Sequence, residues 1–511
     1  MSPGGIDGTV RALLDKRARE DGDAPFLIVP DGGGVFGYRE WQTSLRALGG
    51  FFSQVPRGEV VAAMATNGIA AAQTLLGAPY HGRVAFVINL AAGDSQIAYK
   101  LQHSNCRLAL ADEGNFDRLQ KIIADNKLPV NLAKAGEGGI EYARGGKDKA
   151  GGADETDNGE SEDAPSLLIY TSGTTGKPKG VLHSHKSMLA GGINTAKAHG
   201  LTSGDRALCV LPLFHINGQC VTIFAPLVSG GSVVLPPRFS ARHFWRIAAE
   251  NDCTWFSAVP TIISHLLHQP PPSQTPPLLR FGRSASSALP PQTHRQFEKR
   301  FGLKIIETMG LTETAAQILS NPMPPAAGKF GSPGVAFGNE VAIFDDKGEQ
   351  CPPEAEGEIA IRGDNVMLRY LHDEEATAAA INGKGWLLSG DLGKMDGEGF
   401  VFVTGRRKEL IIKGGENIAP REIDDALYLA ANVVEAAAFA RPCQTYGQRV
   451  EAAVVLSKPN AHSEAELIDL CARQVGAFKA PERIHFLAEL PKGPSGKVQR
   501  LKLAAQFANG D

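Results

Sequence analysis

Short apolar segments alternate with helical patterns along the first part of the chain. Segments 59–64, 84–88 and 108–110 are mostly apolar, as in strands that are buried on both faces. Between such segments, residues 38–52 show helical spacing of apolar side chains, and residues 69–78 predict a helix of mostly small residues. This alternation predicts a mostly parallel sheet with helices on its faces.

The pattern continues through the middle of the chain. Residues 207–211 and 232–235 predict two further strands, and residues 357–362 and 400–404 predict short strands of a β-rich subregion.

Two polar stretches interrupt this pattern. Residues 144–165 are rich in glycine and then in acidic residues, and we expect a solvated loop there, with an acidic docking segment as the alternative. Residues 269–277 contain five prolines and predict a surface loop.

The C-terminal part of the chain has a different pattern. Segments 436–439 and 450–456 predict a small sheet, and Ser463 with Glu466 forms a capping box that begins a helix. The core face of that helix carries Leu467, Leu470, Cys471 and Val475. Together these elements predict a separate α+β domain of about 100 residues.

Composition limits the class of protein. A chain of 511 residues is too long for a single core. Net charge of −3 gives no basic excess for nucleic acid. Seven dispersed cysteines without C-x-x-C spacing indicate reduced thiols, so we expect a cytoplasmic protein. No apolar run approaches ~18 residues, so no membrane span is expected.

The stretch from residue 170 to 180 carries the most specific chemistry. Its glycines let successive backbone N–H groups face one side, and hydroxyls and lysines add donors and charge, which suits a polyphosphate. It is not a Walker A loop, because two residues separate Gly173 from Gly176 and Pro178 follows Lys177. Since proline disfavours a helix start here, we expect strand–loop–strand. A polar surface turn is the alternative.

This stretch resembles the phosphate loop of the acyl-adenylate-forming enzymes, which include acyl-CoA synthetases, luciferases and peptide-synthetase adenylation domains. Six further segments resemble that family's motifs in the family's order, so the resemblance covers nearly the whole chain. It implies phosphate contacts from Thr171, Ser172, Gly173, Thr174, Thr175, Gly176 and Lys179.

The resemblance also implies an adenine and ribose site. The small-residue turn of Ser286, Ser287 and Ala288 would lie along the adenine and the acyl group, and Asp391 would accept hydrogen bonds from the ribose hydroxyls. An ordinary tight turn is the alternative for each. At Met309 the chain departs from the family, which usually has an aromatic residue stacked on adenine. Methionine is polarizable and can cover a ring, so we expect ATP binding to be retained, with a lower affinity.

The same resemblance implies residues for catalysis. Gly310 begins a segment in which Thr312 would contact the α-phosphate and Glu313 would bind Mg²⁺, and a solvated helix start is the alternative. Lys497, in a loop framed by glycine and proline, matches the family's catalytic lysine. By comparison, we expect Lys492 to be solvated.

Hinge and coenzyme A residues are implied as well. Arg406 would contact ribose or phosphate, and Lys408 would be the pivot between domains, with a solvated charge run as the alternative. Pantetheine would pass close to the backbone of Gly414 and Gly415, with Lys413 near a CoA phosphate.

Segments 231–240, 283–286 and 319–322 resemble a branch of the family that contains oxalate–CoA ligases. That branch carries a histidine where Ala316 stands, so His215 or Arg283 would have to supply a counter-charge for a second anionic group. Polar groups disfavour a long alkyl chain, and we expect an acid of about two to six carbons. The expected acyl-pocket residues are His215, Asn217, Phe256, Ser286 and Ala316.

These observations predict an α/β fold with a large N-terminal adenylate-forming domain of parallel sheets, helices and a β-rich subregion over 1–404. A hinge at 405–408 would join it to a small mobile α+β domain over 409–511. The implied function is an ATP-dependent, AMP-forming acid–CoA ligase that uses Mg²⁺. Oxalate or sulfoacetate are candidate dianionic substrates, and a homodimer is a candidate assembly. The alternatives are transfer to a carrier-protein thiol and a non-catalytic nucleotide-binding protein.

Overall fold

The computed structural model describes residues 8–136, 138–140, 160–171, 178–272, 275–493 and 498–507. The first part of the chain alternates helices and strands, as its apolar pattern predicts. Its elements are α1 Val10–Glu20, β1 Pro25–Val29, β2 Gly34–Gly37, α2 Tyr38–Ala47, α3 Gly49–Phe52, β3 Val60–Met64, α4 Ile69–Tyr80, β4 Val84–Val87, α5 Asp94–His103, β5 Leu108–Asp112, α6 Glu113–Asp125, β6 Asn131–Gly136, β7 Gly139–Ile140, β8 Pro165–Thr171 and β9 Lys179–Ser184.

An eight-stranded sheet has the order β19-β9-β8-β4-β3-β5-β6-β7, in which β19 is Arg369–Tyr370, and it is parallel from β8 to β6. Every residue of β3 and β4 is buried, because successive side chains enter hydrophobic clusters on opposite faces of the sheet. The helix predicted over 38–52 is interrupted at Leu48, where two glycines follow and lower the helix propensity.

β8 and β9 form an antiparallel hairpin in which Thr171 pairs with Lys179. Strand–loop–strand is therefore the correct description of the flanks of the glycine-rich stretch. Ser172, Gly173, Thr174, Thr175 and Gly176 lie outside the described residues, as does most of the polar stretch 144–165.

The middle of the chain continues the alternation. Its elements are α7 His185–Ala198, β10 Arg206–Cys209, a π-helix Asn217–Phe224, α8 Ala225–Ser229, β11 Ser232–Val234, α9 Phe244–Glu250, β12 Trp255–Ala258, α10 Pro260–Leu267, β13 Phe281–Ser284, α11 Pro291–Phe301, β14 Lys304–Leu311, a 3₁₀ turn Thr312–Thr314, β15 Ala316–Ser320 and β16 Val335–Ala336.

These strands build a nine-stranded sheet of order β16-β15-β14-β13-β12-β10-β11-β1-β2. Six neighbouring strands, from β14 to β1, are parallel, and the antiparallel strands lie at the two edges. A shared hydrophobic cluster joins this sheet to the eight-stranded one. Such layering buries parallel strands on both faces.

A smaller antiparallel sheet, β17-β18-β20-β21, follows as the predicted β-rich subregion. All three of its strand pairs are antiparallel, and β17–β18 and β20–β21 are pairs of consecutive strands. The elements of this region are β17 Glu340–Phe344, β18 Gly357–Arg362, β19 Arg369–Tyr370, α12 Glu374–Ala380, β20 Leu387–Met395 and β21 Val401–Arg406.

The last part of the chain has its own sheet, β23-β22-β25-β24 with β26 beside β25, and its own hydrophobic clusters. Ser463 caps α14 through the predicted capping box with Glu466. The α/β fold with a small α+β region is confirmed, while the boundary at 404–409 stays a prediction. The elements are a 3₁₀ turn Arg407–Glu409, β22 Ile411–Lys413, β23 Glu416–Ile418, α13 Pro420–Leu427, β24 Val433–Cys443, β25 Gly447–Leu456, α14 Glu464–Val475, β26 Arg483–Phe486 and α15 Arg500–Gln506.

Among the residues that the structure describes, no helix combines the length and apolar character needed to cross a membrane.

Candidate active site

A cleft at the ends of β13 and β14 is also lined by the β20–β21 hairpin and by residues of the C-terminal region. Chain positions that are far apart in sequence meet there because parallel strands end at a common edge of the sheet. Seven of the predicted nucleotide-binding residues line it: Ser286, Ser287, Ala288, Met309, Gly310, Asp391 and Arg406.

The small-residue turn follows directly after β13. Ser286 has a φ of +74°, a left-handed conformation that only a tight turn imposes on serine. The Leu289 N–H donates to Glu307 Oε1 over 3.1 Å and holds the end of the turn against β14. Short side chains leave the backbone at this point close to whatever occupies the cleft.

Gly310 must be glycine for a packing reason. A Cβ there would lie 1.8 Å from the carbonyl oxygen of Ala316, which belongs to the next strand. Ala315 and Ala316 both have positive φ, so the chain turns sharply between β14 and β15. Ala316 itself is 4% exposed and packs in the core, where its methyl group brings no polar group.

Thr312 and Glu313 form a 3₁₀ turn just beyond the cleft-lining Leu311. His183 Nε2 donates to the Thr312 carbonyl oxygen over 2.7 Å, which orients the turn. The Tyr370 hydroxyl donates to Glu313 Oε1 over 2.9 Å. Burial and the neighbouring carboxylate raise the pKa of Tyr370, so its hydroxyl stays protonated as a donor. The Glu313 side chain is half-buried.

Asp391 and Arg406 face each other across the β20–β21 hairpin. Arg406 Nε donates to Asp391 Oδ1 over 2.6 Å, and Nη2 lies 3.5 Å from Oδ2. Asp391 is buried and Arg406 partly exposed at the cleft wall. The sequence analysis assigns the two residues separate roles, and only the antiparallel register brings them together.

The C-terminal region contributes a further wall. Lys492 and Val498 form an isolated backbone bridge and both line the cleft, although Lys497 lies outside the described residues. Lys492, expected to be solvated, is ion-paired with Glu435 and is 27% exposed. Both flanks of the predicted catalytic loop therefore reach the cleft.

Several cleft residues escaped the sequence analysis. Glu307 is 2% exposed, and burial raises the pKa of its carboxyl to about 7. Arg500 pairs with Asp424 in the same wall, and Arg421 donates to the Val403 carbonyl over 2.8 Å. None of these positions belongs to a local motif, so no sequence signal marks them.

A second polar group lies on and around β13, which ends at the cleft, and we call it the Arg283 cluster: Arg283, Asn217, Ser257, Gln317 and His199. Arg283 Nε and Nη2 each lie 3.2 Å from Gln317 Oε1, and Nη1 lies 3.3 Å from Asn217 Oδ1 and 3.1 Å from Ser257 Oγ. His199 Nε2 is 3.2 Å from the same Gln317 oxygen. All five side chains are buried.

Strand register assembles this cluster. Ser257 on β12 pairs with Arg283 on β13, and Asn217 begins the π-helix, a form found often at functional sites. Side chains alternate along a strand, so Phe256 lies on the opposite face of the sheet, packed against Phe244. The structure does not bring Phe256 to the cluster, whereas Asn217 is part of it.

The charges of the cluster follow from its burial. Arg283 is 1% exposed, and burial lowers the pKa of its guanidinium to about 9. Burial, with the nearby charge of Arg283, lowers the pKa of His199 to about 3, so its imidazole is neutral. His215 is half-buried two residues before Asn217, and its ring is tilted against that of Phe214, with the ring centres 4.5 Å apart.

The remaining predicted residues lie elsewhere. Lys179 Nζ lies 4.8 Å from the centre of the Tyr370 ring. Lys408 lies on the exposed surface of a 3₁₀ turn. Lys413 is 5% exposed and pairs with Glu482 over 2.8 Å, while Gly414 and Gly415 are exposed with φ of +58° and +87°. The proposed hinge and coenzyme A roles stay predictions.

Comparison with known proteins identifies the family. The model for AMP-binding enzymes matches residues 14–371, and the model for the C-terminal domain of AMP-binding enzymes matches residues 422–497. The chain belongs to the AMP-binding enzyme family. Its relatives include the sulfoacetate–CoA ligase of Cupriavidus necator, 43% identical over 97% of each chain. The oxalate–CoA ligase of Arabidopsis thaliana is 34% identical, over 82% of this chain and 83% of the relative.

Solved structures of similar fold agree with the assignment of this chain to the AMP-binding enzyme family. ATP-bound MatB of Rhodopseudomonas palustris superposes with a TM-score of 0.88 at 26% identity, over 98% of this chain and 99% of that one. MenE of Bacillus subtilis in complex with the acyl-adenylate OSB-AMP has a TM-score of 0.83 at 29% identity, over 96% and 97%. The chain is therefore an AMP-forming acid–thiol ligase.

Proposed function

We propose that this enzyme joins a small carboxylic acid to coenzyme A through an acyl-adenylate, at the expense of ATP. The observation that carries the proposal is the cleft itself. In it, the small-residue turn, the Met309–Gly310 segment and the Asp391–Arg406 pair meet both flanks of the Lys497 loop. A nucleotide in this cleft would lie beside residues of both regions of the chain.

In the first step, a carboxylate oxygen of the acid attacks the α-phosphorus of ATP, and pyrophosphate leaves. Two anions must approach each other, so positioning and charge stabilisation dominate catalysis. We assign Lys497 to the contact between the carboxylate and the α-phosphate, and Thr312 to the α-phosphate. The residues assigned to the outer phosphates are Thr171, Ser172, Gly173, Thr174, Thr175, Gly176 and Lys179.

A magnesium ion fits the donor set at Glu313. A carboxylate on a partly exposed turn is the ligand type that Mg²⁺ prefers, and the ion usually keeps several waters and binds phosphate oxygens. When bound, the ion would neutralise phosphate charge. Tyr370 fixes the orientation of the Glu313 carboxylate through its hydrogen bond.

In the second step, the thiol sulfur of coenzyme A attacks the acyl carbon and AMP leaves, while the thiol proton passes to solvent. The C-terminal region would rotate about Lys408 between the steps, a motion of the hinge type. We propose that pantetheine passes close to the exposed backbone of Gly414 and Gly415, and that Lys413 binds a phosphate of coenzyme A.

We also propose that the enzyme is a homodimer, which light scattering would test.

The acid is small and polar in this proposal. The relatives named for sulfoacetate and oxalate act on small acids that carry a second acidic group. The buried polar Arg283 cluster disfavours an alkyl tail, which requires a dry tunnel. We therefore propose an acid of about two to six carbons with a polar or anionic tail.

We also propose that the protein is cytoplasmic, because free thiols at all seven cysteines fit a reducing compartment.

A panel of acids tests the proposal. Acetate, butyrate, oxalate, malonate, sulfoacetate, benzoate and palmitate are each added with ATP, Mg²⁺ and coenzyme A. Pyrophosphate release is measured, and the thioester is identified by mass spectrometry. We expect acid-dependent pyrophosphate release and a thioester from the small acids. ATP binding without acid-dependent pyrophosphate would instead indicate a non-catalytic nucleotide-binding protein, and palmitate as best substrate would contradict the small pocket.

A further inference from the structure

Arg283 is a buried cation that has no anionic partner among the described residues. Its ion pairs would be with Asp or Glu, yet its four contacts are to the side-chain oxygens of Gln317, Asn217 and Ser257. Buried Arg441 of the C-terminal region, by contrast, pairs with the carboxylate of Glu451. Removing a charge from water costs several kcal/mol unless a counter-charge compensates it. Within the described part of the chain, Arg283 is therefore a positive charge in the interior without a counter-charge.

A purely structural arginine looks different in the same molecule. Arg83, which is 3% exposed, donates to the backbone carbonyl oxygens of Val55 and His81. Val55 lies in the loop after α3 and His81 ends α4, where carbonyl oxygens need a donor from outside the helix, so the arginine completes the local fold. Arg283 instead donates to the side-chain amide oxygens of Asn217 and Gln317. The NH₂ groups of these two amides then need acceptors of their own.

The amides of Asn217 and Gln317 are oriented by this arrangement. A guanidinium only donates hydrogen bonds, so the amide oxygens must face Arg283 and the NH₂ groups must face away from it. Both NH₂ groups are buried, and neither has a hydrogen-bond partner among the described residues. Among the described residues, two buried amide donors beside a guanidinium therefore lack an acceptor. An anion supplies what is missing.

Two residues of the cluster are close to cleft-lining residues along or across the strands. Arg283 lies three residues before Ser286, which lines the cleft at the end of the same strand. Gln317 pairs across the β14–β15 ladder with Gly310, another cleft residue. At the neighbouring position, Ala316 contributes a methyl group and no charge, and His199 is neutral. Among the described residues of the cluster, the positive charge resides on Arg283.

We propose that Arg283, with the amide groups of Asn217 and Gln317, binds a second anionic group at the end of the acid that is distant from the reacting carboxylate. The inference rests on the acid–CoA ligase function proposed above. The shared chemistry is a compact oxyanion, either a carboxylate or a sulfonate, which a guanidinium binds through paired N–H donors. Arg283 is thus a specificity-determining residue that selects dianionic acids.

Paired substrates and three variants test this inference. Sulfoacetate and malonate carry the second anion, and propionate is a monoanion of similar size. The kcat and KM for thioester formation are measured separately for each acid. The variants are Arg283→Met, which removes the charge, Arg283→Lys, which keeps it, and Gln317→Glu. Arg295→Met, a change at an exposed arginine of α11, is the matched control.

For the wild type we expect kcat/KM for a dianion to exceed that for propionate. Arg283→Met should lower kcat/KM for both dianions by about 10²–10³-fold, while propionate stays within about threefold. Arg283→Lys should recover part of this loss. Comparison of the sulfonate with the carboxylate shows which oxyanion the site prefers.

Gln317→Glu guards against a folding artefact. It places a carboxylate beside Arg283 without changing the shape of the side chain, so the protein should stay folded while the dianion loses its site. Loss of dianion activity with propionate activity retained supports the inference. Equal losses for dianions and propionate in Arg283→Met, or a wild type that prefers propionate, would overturn it. If the wild type forms no thioester from any acid, the proposed function fails as well.

Discussion

Two regions of this molecule bury arginine in opposite ways. In the N-terminal region, the hydrogen bonds of Arg283 to other described residues all go to neutral oxygens. In the C-terminal sheet, Glu451 is 1% exposed and pairs with Arg441 over 3.3 Å, Arg449 over 2.8 Å and His485 over 2.8 Å. Burial alone would raise the pKa of Glu451, but the hydrogen bonds from His485 and Arg449 lower it below its usual value.

The difference separates a structural charge network from a ligand site. When both partners of every ion pair lie in the same region, that region can rotate without breaking an ion pair. A buried charge without a counter-charge lowers the stability of the protein, but it can pair with a charged ligand. This agrees with the general trade-off between stability and activity. The C-terminal region is the one that we propose to rotate, and the N-terminal region is the one that we propose to select the acid.

The largest expected effect breaks the C-terminal network. Glu451→Gln leaves Arg441 buried without its counter-charge and should lower the free energy of unfolding by about 3–5 kcal/mol. Arg283→Met removes an unmatched charge and should change it by less than about 1 kcal/mol or raise it. Urea titrations measure the free energy of unfolding of both variants. The control is Glu416→Gln, a change at an exposed residue of the C-terminal sheet. Equal destabilisation by the two variants would mean that the two regions do not differ.

Lys497 is the C-terminal charge that should act in the chemistry. Lys497→Ala should slow pyrophosphate release by about 10²–10³-fold, since one charge contact in the transition state is lost. Thioester formation from a supplied acyl-adenylate should be nearly unchanged. Lys492→Ala is the neighbouring control, because that lysine is ion-paired with Glu435. Equal loss in both half-reactions would contradict the assignment of Lys497 to the first step.

Acid should weaken the N-terminal region first. The folded state keeps His199 neutral, with a pKa of about 3, whereas the unfolded state protonates it below its ordinary value of 6.5. Stability therefore falls as the pH drops below 6.5, by about 2 kcal/mol for this histidine at pH 5. For Glu451, whose pKa is lowered in the folded state, the stability is lost only below its ordinary value of 4.5.

Tryptophan fluorescence follows this acid effect in the N-terminal region. All four tryptophans, Trp41, Trp245, Trp255 and Trp386, precede the proposed hinge. Urea titrations at pH 7 and pH 5 should show a smaller loss of stability in His199→Gln than in the wild type. An identical pH dependence in the two proteins would show that His199 does not titrate on unfolding.

The smallest expected effect concerns the hinge. Lys408→Pro restricts the backbone at the proposed pivot and should slow thioester formation by about tenfold or more, while adenylate formation continues. Lys408→Ala, which keeps backbone freedom, is the control. Single-turnover measurements of each half-reaction separate the two steps. Thioester formation at the normal rate in Lys408→Pro would exclude the pivot.

Much of the architecture was predictable from the sequence. The apolar runs of β3 and β4 predict parallel strands, because a strand without polar residues has both faces buried away from water. Pro178 predicts a strand after the glycine-rich stretch, and β9 begins at Lys179. The capping box at Ser463 predicts the start of α14. These signals are local, since each depends on residues a few positions apart.

The candidate site was predictable only where a motif is contiguous. Ser286, Met309 and Gly310 were identified in this way and line the cleft. Phe256 was assigned to the acyl pocket from its neighbourhood in sequence, but strand alternation directs it to the other face of the sheet. Glu307 carries no motif, and its raised pKa results from burial that the fold alone produces.

By itself, the sequence determined the fold class, the family and the chemistry of adenylation, because these depend on local patterns and contiguous motifs. Only the tertiary structure decided which charges meet. Asp391 meets Arg406 through antiparallel register, and Arg283 meets Asn217 and Gln317 through three separate elements. Whether a buried charge has a counter-charge depends on residues far apart in the chain. For that reason, the anion site beside Arg283 follows from the fold and from no motif.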